Sequence, residues 1–144
     1  MCLSVSLIRS LLVCRGMTPV SEKVGRMKIL QTYIRVYVHD MDSSLKFYES
    51  LLGEISTLRF KHSAFGLELA AVGNILILAG SDQDLEPFRS TKATFQVDAI
   101  REFYDYLLKS GCKVVRGLTG VPTGTNLTVQ HPDGSIFEYV EHHA

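Results

Sequence analysis

The sequence predicts an α+β fold, a single domain built from two modules that each run strand–helix–strand–strand–strand. Two observations predict this fold. An alternating strand pattern is twice followed by a helix pattern whose apolar residues recur every three or four positions. Three strand-like runs then follow each helix, so the whole order returns at a spacing of about 60 residues, which indicates an internal repeat. A length of 144 residues suits one such domain.

The first module covers about residues 27–80. Its opening strand starts near residue 29 and alternates between an aliphatic face and a face of polar and aromatic side chains. Asp40 or Asp42 is placed to cap the helix that follows, and Gly53 is placed to end it. The module is completed by three strand-like runs with connections short enough for hairpins, at residues 55–60, 64–72 and 74–79.

The second module covers about residues 91–142, after a segment (80–90) whose composition predicts a surface linker. Its first strand, from Thr91, leads to Asp98, which is placed to cap the next helix, and Gly111 ends that helix. The remaining strands are predicted at residues 112–116, 126–130 and 136–141.

Residues 1–26 do not share these patterns. An apolar run within them resembles the core of a signal peptide, but Arg9 interrupts it and no clear cleavage pattern follows. The run is also too short to span a bilayer. Three interpretations remain open: an added amphipathic helix, a disordered leader, or upstream sequence included by an early start codon. We expect an appendage outside the domain of residues 27–144.

Composition excludes several classes of function. Fifteen basic residues balance fifteen acidic ones, so the chain has no basic surface suited to nucleic acid or to an anionic membrane. Cys2, Cys14 and Cys112 are odd in number and have no CxxC spacing. Neither a disulfide framework nor a thiolate zinc site is therefore predicted, and we expect a cytoplasmic protein.

Polar side chains collect on the strand faces that point away from the helices. Alternation places these groups in an otherwise aliphatic setting, which is typical of a cleft for a small molecule. The candidate ligand-binding residues are Gln31, Tyr33, Arg35, Gln96, Asn126 and Thr128. Alternation also turns Lys92 and Glu138 toward this cleft. His39, His62 and His131 fall at strand ends or turns, where solvated histidines are expected.

Three segments resemble the vicinal oxygen chelate superfamily, which includes glyoxalase I, bleomycin-resistance proteins, extradiol dioxygenases and methylmalonyl-CoA epimerase. They are QTYIRVYVHDMDSSLKFYESLLG, TKATFQVDAIREFYDYLLKSGCKV and HPDGSIFEYVE, the last being similar to the family ending DPDGxxxEL. The resemblance covers residues 27–141 and implies two βαβββ modules whose mixed, curled sheets enclose a cleft. It also implies a homodimer, but it does not specify a reaction because the fold hosts many chemistries.

In metal-dependent members of the family, four cleft residues hold a divalent ion. By resemblance these positions fall on Gln31, Ile77, Lys92 and Glu138. Isoleucine offers no donor, and the lysine ammonium has no lone pair and repels a cation. We therefore expect no metal or other cofactor. A metal, if one binds, would use Gln31 and Glu138.

The resemblance also suggests roles for the charged residues. Arg35 matches an arginine that holds an anionic end of the substrate in glyoxalase I, while a local ion pair with Asp40 or Asp42 is the alternative. Glu138 is a candidate general base, and Lys92 a candidate proton-transfer group. The alternative for these last two is an ion pair with each other across the cleft floor.

The sequence thus predicts a glyoxalase- or bleomycin-resistance-like protein that binds a small polar or anionic molecule without a metal. Two alternatives stay open: a divalent-metal-dependent lyase or dioxygenase with a non-standard ligand set, and a non-catalytic sensor or accessory domain. Whether the protein catalyses a reaction, as a lyase, isomerase or dioxygenase would, is left undecided.

Overall fold

The computed structural model describes residues 27–143, so the predicted appendage of residues 1–26 lies outside the described residues. The strands are β1 Ile29–Val38, β2 Leu58–His62, β3 Leu67–Val72, β4 Ile75–Ala79, β5 Thr91–Val97, β6 Lys113–Val121, β7 Gly124–Gln130 and β8 Ile136–His142. The helices are α1 Met41–Leu52, α2 Asp82–Leu85 and α3 Ile100–Lys109. Short 3-10 turns occupy Ser63–Phe65 and Glu86–Phe88.

The eight strands form one mixed sheet in the order β2-β3-β4-β1-β5-β8-β7-β6. β1 lies at its centre and pairs parallel with β4 and antiparallel with β5, so that one strand joins the two halves of the sheet. The sheet curls into a half-barrel. This architecture confirms the predicted α+β fold with a mixed, curled sheet.

Both long helices cover the same face of the sheet. α1 packs on β3 and β4, and α3 packs on β7 and β8. Under α3 lie Leu127 and Val129, which are 0% and 1% exposed. Burying each such aliphatic side chain stabilises the fold by about 1.5–3 kcal/mol. The opposite, concave face of the sheet is left to form the site.

The helix ends show which capping predictions hold. Asp40 is the cap of α1, its carboxylate accepting a hydrogen bond from the Ser43 amide at 3.3 Å, and Gly53 ends α1 in the left-handed conformation. The prediction that Asp98 caps α3 is wrong. Ala99 holds the cap position without a side-chain bond, because the Asp98 carboxylate accepts instead from the Lys28 amide at 2.8 Å.

Two other segments differ from the sequence prediction. The surface linker contains the helical turn α2, whose cap is the Ser81 hydroxyl. β6 continues to Val121 instead of stopping at residue 116, because pairing with β7 outweighs the loop tendency of its glycines. Within residues 27–143, none of the helices has the length and apolar character needed to cross a membrane.

Candidate ligand cavity

A cavity of about 230 Å³ lies on the concave face of the sheet, between the β2–β4 half and the β6–β8 half. One wall is apolar and comes from the first half of the chain. Its main side chains are Leu58, Phe60, Leu67, Leu69, Leu76 and Leu78. The other wall carries the polar groups, including Arg35, Thr94, Arg116, Asn126 and Glu138. The cavity therefore has an apolar side and a charged side.

A buried ion pair forms the floor of the charged side. Arg35 Nη2 lies 3.0 Å from Glu138 Oε1, and the side chains are only 3% and 15% exposed. Arg35 Nε donates to the Thr94 hydroxyl at 2.8 Å, and that hydroxyl donates to Glu138 Oε1 at 3.3 Å. Asn126 donates to Glu138 Oε2 at 3.3 Å. Both carboxylate oxygens are thus engaged.

The ion pair decides the protonation of Arg35. Burial alone would lower the pKa of this guanidinium, but the charge of Glu138 and the hydroxyl of Tyr37 outweigh it and raise the pKa. Arg35 is therefore a fixed cation. Its alternative partners, Asp40 and Asp42, are engaged elsewhere: Asp40 caps α1 and Asp42 pairs with Arg59 at 2.7 Å.

Tyr37 connects the segment of residues 80–90 to the ion pair of the cavity floor by hydrogen bonds. Its hydroxyl lies within hydrogen-bonding distance of the carbonyl oxygens of Phe88 and Thr91, and it accepts from Arg35 Nη1 at 3.4 Å. Phe88, 7% exposed, is thereby held in the cavity wall.

Arg116 is a second cation in the cavity, and it was not among the residues predicted to bind a ligand. It donates to the Pro87 carbonyl at 2.9 Å and lies over the Phe88 ring, 4.4 Å from the ring centre. Burial lowers the pKa of Arg116, as does the nearby Arg35, while Glu138 opposes the shift. In residues 27–143 no carboxylate comes within ion-pair distance of Arg116.

His62 is the other functional candidate that sequence reasoning missed. It was expected to be solvated, yet it lines the cavity, and its Nε2 is buried without a hydrogen-bond partner. The Phe65 ring lies against the imidazole with 4.4 Å between ring centres. The signal was weak because a histidine at the end of a strand resembles many surface histidines.

The predicted ligand-binding residues divide into two groups. Tyr33, Arg35 and Asn126 line the cavity. The other three are outside its lining. Gln31 donates to the Gly73 carbonyl at 3.0 Å and to Asn74 at 3.1 Å. Gln96 accepts from the Tyr33 hydroxyl at 3.4 Å, and Thr128 is buried within the sheet.

Lys92 and Ile77 do not face the cavity as predicted. A bulge between Thr91 and Ala93 interrupts the alternation of β5, so that Thr91 is buried and Lys92 is exposed. Glu138 consequently pairs with Arg35 and not with Lys92. Ile77, fully buried, packs with the residues under α1 and lies on the helix side of the sheet.

These positions do not fit a divalent cation. Of the four family ligand positions, only Gln31 and Glu138 carry side chains that could donate electrons to a metal. The Gln31 amide instead bonds to the Gly73 carbonyl in a turn, and the Glu138 carboxylate contacts Arg35, Thr94 and Asn126. Over residues 27–143, no cluster of three or more His, Cys, Asp or Glu side chains is placed to hold a metal.

The family model described as Glyoxalase/Bleomycin resistance protein/Dioxygenase superfamily matches residues 30–139. The chain belongs to this superfamily. A crystal structure of an uncharacterized Methanosarcina mazei protein shares 48% identity with a TM-score of 0.77, covering 81% of this chain and 95% of that one. No curated protein matches the chain.

Two further solved structures share the fold at lower sequence identity. Methylmalonyl-CoA epimerase from Mycobacterium tuberculosis is 17% identical, with a TM-score of 0.62 and coverage of 83% of this chain and 89% of that one. A variant of the Streptomyces coelicolor epimerase, in complex with 2-nitronate-propionyl-CoA, is 15% identical, with a TM-score of 0.62 and coverage of 83% and 98%.

Proposed function

We propose that this superfamily member binds a small anionic molecule with an apolar body in the concave cavity, without a metal held by Gln31 or Glu138. The observation that carries the proposal is the charge balance of the cavity. Arg35 and Arg116 bring two guanidinium groups, while Glu138 is the one carboxylate that residues 27–143 contribute to the lining. One positive charge is left uncompensated.

The uncompensated charge belongs to Arg116. Arg35 already holds Glu138, so its charge is neutralised within the cavity floor. A half-buried guanidinium without an anionic partner is costly, and a carboxylate or phosphate that binds it in a forked geometry recovers that cost. The predicted anion-binding role thus moves from Arg35 to Arg116.

The apolar wall indicates that the part of the ligand away from its anionic group is apolar. Six aliphatic and aromatic side chains face the charged side, so a purely polar molecule would leave that wall in contact with water. The volume of about 230 Å³ is below the range usual for drug-sized ligands, which indicates a compact molecule.

The contacts of the charged residues favour a protein that binds its ligand without catalysing a reaction. Lys92 is exposed and cannot exchange a proton with a ligand in the cavity. Glu138 is the remaining candidate base, but its oxygens already accept from Arg35, Thr94 and Asn126. A metal-dependent lyase or dioxygenase would need donors that these positions lack, and nothing specific favours an accessory domain.

A cytoplasmic homodimer also remains a proposal. Leu30 and Ile34 are 56% and 57% exposed on the helix side of β1, in the part of the sheet that lies between α1 and α3. A second copy covering them would remove apolar surface from water. Sedimentation of wild type and of Ile34→Lys tests this: dissociation of a dimer by the substitution supports the proposal, and a monomeric wild type refutes it.

The ligand proposal is tested by thermal shift and calorimetry on protein purified without chelators. Small aryl and alkyl carboxylates are compared with the matching neutral amides. We expect carboxylates to stabilise the protein and amides not to, and Arg116→Gln to weaken carboxylate binding at least tenfold, about 1.4 kcal/mol. Arg101→Gln, on the exposed face of α3, is the matched control.

Two outcomes would overturn the proposal. One is equal binding of the acids and their amides, because the free charge of Arg116 would then have no role. The other is a stoichiometric divalent ion that is lost in Gln31→Ala or Glu138→Gln.

A further inference from the structure

One wall of the cavity carries a continuous row of planar groups, each in contact with the next. The His62 and Phe65 rings are 4.4 Å apart, Phe65 and Phe88 are 5.2 Å apart, and the Arg116 guanidinium lies 4.4 Å from the centre of Phe88. All four side chains line the cavity. The row has a cation at one end, two hydrocarbon rings in the middle and an imidazole at the other end.

The imidazole end of this row has an unmet hydrogen bond. His62 Nε2 is buried and has no partner. Leaving such a polar atom unsatisfied is costly, and native structures rarely retain it without a reason. Leu67, which pairs with His62 between β2 and β3, and Phe60, two residues earlier on β2, have side chains that offer no acceptor or donor.

We propose that the ligand is a bifunctional, flat or elongated acid, which places its anionic group on Arg116 and a hydroxyl or similar hydrogen-bonding group on His62. Its apolar body lies along Phe65 and Phe88. This inference rests on the proposed function, because the acid end is the one already assigned to Arg116. The new part is the second polar anchor and the class of molecule it selects.

A hydroxyl suits His62 because it both donates and accepts, and so it can bond to either tautomer of the imidazole. Bonding requires the imidazole to turn about its Cβ–Cγ bond, a torsion with a broad energy minimum. Phe65 does not block this movement, since 40% of its surface is exposed and the ring can shift without opening the core.

The arrangement predicts discrimination between acids of the same shape. A site built to bond a hydroxyl rejects an analogue that lacks it more strongly than an apolar pocket rejects a missing methyl group, because the buried partner stays unpaired. A para-methyl acid fills the space of a para-hydroxyl acid but cannot bond to His62. It is therefore the matched competitor.

The test measures binding of phenylpropanoate and its para-hydroxyl and para-methyl derivatives by calorimetry. For the wild type we expect the hydroxyl acid to bind at least tenfold more tightly than the methyl acid. His62→Phe should remove this preference and bind the methyl acid at least as tightly as the wild type does. His62→Gln, which keeps a hydrogen-bonding amide, should retain part of the preference. Melting curves of both variants verify that they fold.

The outcomes separate this inference from the proposed function. If the acids bind but the wild type shows no preference for the hydroxyl, the role of His62 is refuted while the anionic site stands. A preference that persists in His62→Phe refutes it equally. If none of the three acids binds but longer carboxylates do, the proposed bifunctional acid along Phe65 and Phe88 is refuted while the anionic site stands. If no carboxylate binds, both proposals fall together.

Discussion

Replacing Glu138 with glutamine is expected to lower the stability of the folded protein by about 3 kcal/mol. The substitution keeps the shape of the side chain and removes its charge, so that Arg35 remains a buried cation, 3% exposed, without a counter-ion. Breaking a buried pair in this way is more damaging than replacing both partners, because the remaining charge has been taken from water without compensation.

The magnitude follows from the geometry. With Nη2 and Oε1 3.0 Å apart, the charge centres are roughly 4 Å apart and attract by about 4 kcal/mol at an effective dielectric constant of about 20. The glutamine oxygen still accepts one hydrogen bond from Arg35, which retains about 1 kcal/mol. For a chain of 144 residues, a loss of about 3 kcal/mol corresponds to a fall in Tm of about 10 °C.

Chemical and thermal unfolding of wild type, Glu138→Gln, Arg35→Met and the double variant measure this loss. We expect the double variant to be less destabilised than the sum of the single variants, with a coupling free energy of about 2–3 kcal/mol. Glu141→Gln, the same change on the same strand, should cost less than about 0.5 kcal/mol. A Glu138→Gln protein that melts within about 3 °C of wild type would refute the reasoning.

Three further substitutions test other features. Lys92→Ala should change stability by less than about 0.5 kcal/mol and leave ligand affinity unchanged, because Lys92 is exposed outside the cavity. Gly124→Ala should cost about 2–3 kcal/mol in urea unfolding, because a Cβ there would collide with the backbone oxygen of Glu141 on the neighbouring strand. His131→Gln should weaken the pH dependence of stability below about pH 6.5. Burial lowers the pKa of His131 from 6.5 despite the opposing charge of Asp133. The unfolded chain therefore takes up more protons, and stability falls as the pH falls through this range.

Each of these has a contradicting result. A Lys92→Ala protein that loses ligand affinity would return the lysine to the site. Gly117→Ala, where a Cβ would meet nothing within 4 Å, is the control for Gly124→Ala, and equal effects of the two would refute the steric argument. Unfolding midpoints of His131→Gln that follow the wild type from pH 7.5 to 5.5 would exclude this histidine as a contributor.

Local patterns were enough to predict much of the fold. Three features of α1 depend only on neighbours within a few residues and could therefore be predicted from the sequence. They are its apolar residues at helical spacing, the Asp40 cap and the end of the helix at Gly53. The alternation of β1 likewise placed Tyr33 and Arg35 on the cavity side. These features need no knowledge of the partner strands.

The errors arose where pairing between distant strands decided the outcome. The bulge in β5 follows from its register against β8, and it moved Lys92 to the surface. The register of β4 against β1 places Leu76 opposite Arg35, so that Ile77 points to the other side. The register of β6 against β7 pairs Arg116 with Thr128 and brings Arg116 to the cavity, and the same pairing extends β6 to Val121. Such registers cannot be read from one strand alone.

The central position of β1 also matters while the protein is being made. β1 pairs with β4 only from Ile34 onward. Residues 29–33 pair with β5, which lies about 60 residues later in the chain. Until β5 leaves the ribosome, that part of β1 has an open edge flanked by Ile29 and Leu30. Such an edge invites pairing with other nascent chains. Synthesis that stalls between the two halves should therefore favour aggregation over a stable half-domain.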